Sequence, residues 1–127
     1  DVFVDSVLYY YADMMRRKNL ELEISFAKYQ RDSLDEMCAG KILMCLMETA
    51  LTNYPEEGRG HKVKLYGGTV KNQVIFRLEY GTSERKGRRD KREMKTLKDC
   101  VRQYGGSVHI SKEENCMKIE DILTGKR

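Results

Sequence analysis

The chain has 127 residues, enough to bury one core between a sheet and a layer of helices, with no room for a second domain. With 40% hydrophobic residues, 35% charged residues and a single Pro, it reads as one folded soluble domain spanning 1–127, and no apolar run approaches the roughly 20 residues of a membrane helix. The net charge of +4 excludes a broadly basic protein, because residues 84 to 92 alone hold six basic and two acidic side chains.

Val4, Val7, Leu8, Tyr11 and Met15 recur at spacings that place them on one face of a helix over Val2 to Arg17. After the polar Lys18 and Asn19, Leu20, Leu22, Ile24 and Phe26 alternate with Glu21, Glu23 and Ser25, the period-two pattern of a strand with one wet face. Ser33 and Glu36 have the spacing of a capping box, which predicts the mouth of a second helix running to Asn53, where Tyr54 and Pro55 stop it. Its segment KILMCLMETAL is apolar nearly all round, so this is the core helix.

Beyond the loop PEEGRG, Val63 and Leu65 alternate with charged residues, and after Lys71 and Asn72 the positions Val74, Phe76 and Leu78 share a face; together they predict an antiparallel hairpin. From Gly81 to Arg92 nothing apolar appears, which predicts a solvated loop. Met94, Leu97, Val101 and Tyr104 then mark a third amphipathic helix, with Gly105 placed to end it in the left-handed conformation. SVHIS and CMKIEDIL close the chain as two more strands joined by Lys112 to Asn115.

This order predicts an α/β (α+β) two-layer sandwich, with three helices packed on one mixed, mainly antiparallel sheet of about five strands. No glycine-rich dinucleotide fingerprint and no P-loop is present. Cys38, Cys45, Cys100 and Cys116 stand singly without a C-x-x-C pair, and they read as reduced cytosolic core residues in preference to a zinc site or a disulfide framework. His61 and His109 have no partner at useful spacing and read as surface or sheet residues. Asp1 opens the chain in place of Met and no signal peptide follows, which predicts a segment of a longer protein.

The segment TLKDCVRQYGGSVHISKEENCMKIEDIL resembles the end of GHKL-type ATPase domains, where a helix leads through Tyr-Gly-Gly into a final hairpin. DSVLYYYADMMRRKNLELEISF is similar to the opening of bacterial sensor histidine kinases akin to quorum-sensing and cell-wall-regulating receptors, and KILMCLMETALTN stands where that family's N-box helix belongs. The resemblance covers nearly the whole chain. It implies an ATP-binding domain using magnesium, and a cytoplasmic position within a parent kinase of the bacterial cell membrane. The implied partners are the parent's phosphoacceptor and dimerisation helices and a response regulator, and no nucleic acid.

The same resemblance implies that the motifs are worn. The family's metal-binding Asn falls on Thr49, which has no amide carbonyl, with Glu48 before it as a candidate catalytic group and Asn53 nearby. The adenine-contacting turn falls on Glu79, Tyr80 and Gly81, where Tyr80 can fill the base slot instead of lining it. The glycine pair whose amides bind phosphate reads Met94-Lys95-Thr96-Leu97. Arg85, Lys86, Arg88 and Arg89 lie in the place of the ATP lid. The expectation is a degenerate domain, weak or inactive toward ATP. Two alternatives stay open: an active kinase domain in which Glu48, Thr49 and Asn53 hold the metal, and a small nucleic-acid-binding module using the basic stretch 84–92.

Overall fold

A computed structural model describes residues 2–53, 62–81, 90–113 and 116–124, with the side chains of residues 53 and 90–93 outside that description. The elements are α1 (Val2–Arg17), β1 (Glu21–Lys28), a single 3-10 turn (Arg31–Ser33), α2 (Glu36–Asn53), β2 (Lys62–Val70), β3 (Gln73–Gly81), α3 (Asp90–Gln103), β4 (Ser107–Glu113) and β5 (Cys116–Thr124). Three helices pack on a five-stranded sheet of order β1-β2-β3-β5-β4, in which only the β1–β2 pairing is parallel. The expected two-layer sandwich is the observed one.

Alternation sorts each strand onto two faces. Val63 and Leu65 on β2, Val74, Phe76, Leu78 and Tyr80 on β3, and Met117, Ile119 and Leu123 on β5 are buried beneath the helices. From the helix layer come Val4, Val7, Tyr11 and Met15 of α1, Ile42, Leu43, Leu46 and Met47 of α2, and Leu97 and Val101 of α3. Leu8, expected on the buried face of α1, is only half-buried. Strand β1 lies at the sheet edge, where the helix layer thins: Leu22 is half-buried and Ile24 is 42% exposed.

The open face is kept in water by charge. Glu23, Lys64, Glu79 and Lys118 are successive register partners across β1, β2, β3 and β5, so the sign alternates from strand to strand. Lys118 meets Glu79 at 3.5 Å, Lys62 meets Glu23 at 3.4 Å, and the Arg77 guanidinium donates to Glu120 at 2.8 Å while lying 5.2 Å from the centre of the Tyr66 ring. Each such pair stabilises little alone.

The capping box expected at Ser33 does not form. Ser33 ends the 3-10 turn, and its hydroxyl lies between the Gln30 carbonyl and the Thr69 hydroxyl. Asp35 is the cap instead: its carboxylate accepts from the Cys38 amide at 3.3 Å, three positions on. Glu36 is thereby released to accept the Phe3 amide, one of the orphan donors in the first turn of α1, and so ties α1 to α2.

The end of α3 follows the sequence closely. Gly105 takes φ +75°, the Gly106 amide donates to Val101 and the Gly105 amide to Arg102, which is a Schellman closure. A Cβ on Gly106 would lie 2.7 Å from the Ile122 carbonyl oxygen and 2.8 Å from a Val101 methyl. The obstacle is backbone, so it cannot swing aside. Gly106→Ala is expected to lower stability by about 2 kcal/mol in urea unfolding; an unchanged midpoint would show that β5 yields there.

Candidate functional site

The sequence-derived site positions fall on the inner end of α2, the last residues of β3 and the first half of α3. Thr49 is 1% exposed, and its hydroxyl donates to the Cys45 carbonyl at 2.8 Å, one turn back in its own helix. Glu48, one position earlier, points instead toward α1, where its carboxylate accepts the Tyr11 hydroxyl at 2.7 Å. Tyr11 is itself 3% exposed. Burial first, and then the Glu48 carboxylate, push the Tyr11 hydroxyl well above the ordinary phenol range, so it stays a donor. Thr49 and Glu48 therefore project from different sides of α2.

Tyr80 is 1% exposed, set in register between Val63 of β2 and Met117 of β5, and belongs to the main core cluster. Gly81 ends β3 opposite Cys116. Met94 and Leu97 are also core residues, whereas Thr96 faces outward. The placement of α3 differs from the expectation that these residues open the helix. It begins at Asp90, a full turn before Met94, so the unpaired amides of its first turn precede the Met94 and Thr96 positions. The structure thus brings Tyr80, Met94 and Leu97 into one buried cluster with Ala50, the neighbour of Thr49.

Arg85, Lys86, Arg88 and Arg89 lie outside the described residues, as do His61 and the Asn53 side chain, and the loop expected over Gly81 to Arg92 is shorter than that: Gly81 ends β3, and α3 already holds Asp90 to Arg92. His109 sits on β4 with its Nε2 3.2 Å from the Ser107 hydroxyl, a sheet-surface histidine as expected. All four cysteines are free thiols, but of the expected core residues only Cys38 is fully buried: Cys45 and Cys100 are half-buried, and Cys116 is exposed because alternation along β5 turns inward Met117 in its place. Among the described residues no cluster of His, Cys, Asp or Glu could hold a metal ion, and no helix is long and apolar enough to cross a membrane.

One residue at this end of the core escaped the sequence reading. Asp121 is 0% exposed, and neither of its carboxyl oxygens has a hydrogen-bond partner among the described residues. Burial, and after it the adjacent Glu120, push its carboxyl up to about 8. The signal was present in the alternation Met117, Ile119, Asp121, Leu123, which puts an acid on the inward face.

No family model matches the sequence, and no curated protein matches it. Solved structures do. The chain is similar to the histidine kinase AdeS of Acinetobacter baumannii, at 14% identity and a TM-score of 0.74 over 99% of this chain and 64% of that one. It is similar to the catalytic domain of the histidine kinase ThkA, at 12% identity and a TM-score of 0.72 over 96% of this chain and 90% of that one. It is also similar to full-length ShkA, solved in complex with AMPPNP, at 16% identity and a TM-score of 0.70, where it covers 98% of itself and 30% of that chain. The chain thus spans less than two thirds of the AdeS and ShkA chains and most of the ThkA catalytic domain. With the same helix layer on the same five-stranded sheet, this chain has the fold of a histidine kinase catalytic domain.

Proposed function

We propose that this chain is the ATP-binding-type domain of a sensor histidine kinase in two-component signalling, with a degenerate nucleotide site, retained as a scaffold or regulatory module. The observation that carries the degenerate part is the burial of Tyr80 and Met94 in the core, at the positions the family resemblance gives to adenine and phosphate contacts. The described side chains do not fit magnesium-ATP. The Thr49 hydroxyl is turned onto its own helix, and a hard cation has no amide oxygen there. Tyr80 is packed into the core instead of lining a slot, and the amides at Met94 and Thr96 fall inside a helix that starts a turn earlier. Glu48 serves as an acceptor for Tyr11, which supports a structural role over a catalytic one.

The partners follow from the same reading: the phosphoacceptor and dimerisation helices of a parent kinase, and a response regulator. A structure of ThkA in complex with the response regulator TrrA supports the second, and the structure of QseC as a cytoplasmic segment supports a cytoplasmic position. The deciding measurement is a calorimetric titration with ATP and magnesium, paired with thermal unfolding. The expected result is no binding heat and no rise in Tm at millimolar ATP, since binding at a hundred times Kd would stabilise by about 2.7 kcal/mol. Magnesium-dependent stabilisation with a stoichiometric heat would replace this reading with an active domain whose pocket is rearranged.

A further inference from the structure

We propose that Asp121 is a proton-held latch on the helix layer: as a neutral acid it is tolerated beneath the seam of α2 and α3, and as a carboxylate it drives that seam away from β5. The proposal stands on a cluster at one place in the fold. Asp121 is fully enclosed at the middle of β5 with both carboxyl oxygens unpartnered. The half-buried thiol of Cys45 on α2 feels both the Cys100 thiol of α3 and Asp121, so acid, thiol and thiol share the junction where the two helices meet the sheet.

The groups facing Asp121 offer a carboxylate nothing. From α2 come Cys45 and, beyond it, Glu48, which also bears on that thiol; from α3 comes Cys100. Its neighbour Glu120 acts on it through charge of the same sign, while its register partners Phe76 on β3 and Val108 on β4 are uncharged. No cation enters. Burial dominates, the Asp121 carboxyl is pushed up to about 8, and a modest alkaline step releases its proton to solvent. A buried charge without a partner is relieved only by water reaching it, and the route that parts fewest strand hydrogen bonds is separation of the helices from β5.

The thiols report that movement. Labelling of the intact chain with a neutral alkylating reagent is followed at each cysteine by peptide mass spectrometry at pH 6.5 and pH 9, with exposed Cys116 as the internal reference. The wild type is expected to show the Cys45 and Cys100 rates rising relative to Cys116 by more than tenfold between the two conditions. Asp121→Asn, which keeps the size and loses the ionisation, is expected to show a much smaller rise, so the thiols' own titration is subtracted. Equal rises in wild type and variant overturn the latch, and so does a matching rise at buried Cys38, which would mean the whole domain opens. Carbon-detected titration of the Asp121 carboxyl in the wild type tests it without any variant: a carboxylate already present at pH 6.5 overturns it.

Discussion

Raising the pH from about 5 to about 8 is expected to remove about 4 kcal/mol from the folding stability of this domain, and Asp121→Leu is expected to abolish most of that slope. In the folded chain the Asp121 carboxyl is pushed up to about 8, against an ordinary 3.8 when the chain is unfolded. Between those two values the folded form holds a proton that the unfolded form has released. Stability is therefore greatest below the lower value, falls as pH rises through the window, and levels off above the upper one. The loss is comparable to the whole stability of a small domain. Leu has nearly the shape of Asp and nothing to ionise, so the variant should already be more stable by about 2 kcal/mol at low pH, the cost of a buried polar group left without a partner, and the gap should widen as pH rises. Urea unfolding across a pH series reads both effects. A flat wild-type profile, or an equal slope in the variant, would remove Asp121 as its cause.

The second large effect is expected at Tyr80. Truncation by Tyr80→Ala should cost about 4 kcal/mol in the same unfolding experiment, the range for an aromatic lost from a packed interior. The residue is 1% exposed, pinned between Val63 and Met117, and part of the cluster that includes Phe76, Leu78, Met94 and Leu97. A tyrosine standing in an open nucleotide slot would behave differently: its removal would cost under about 1 kcal/mol and would improve ATP binding. A small stability change with new nucleotide affinity would thus show the ring blocking an open slot instead of packing in the core, whereas a large loss without affinity is the result expected of a core residue.

Much of the fold was legible in the residues because periodicity reports the faces. The spacing of Val4, Val7, Tyr11 and Met15 identified the buried stripe of α1, and the alternation Val74, Phe76, Leu78 identified the inner face of β3. Gly105 marked the end of α3 because its left-handed φ suits glycine. The capping box at Ser33 misled for a physical reason: Ser33 and Asp35 both lie near the mouth of α2, and which of them caps depends on where the chain turns. The contact with Thr69, thirty-six positions away, drew Ser33 off.

For the candidate site, the sequence by itself determined which residue types replace the family's asparagine and glycines, since identity at a matched position needs no geometry. Only the tertiary structure decided where those side chains go: Thr49 back onto Cys45, Glu48 to Tyr11, Tyr80 and Met94 into the core, and α3 begun a turn ahead of the phosphate positions. Asp121 divides the same way. The alternation of β5 places it on the inward face, yet only packing shows that no donor among the described residues reaches it. Periodicity is a property of one segment, whereas a partner, or its absence, belongs to segments far apart in the chain.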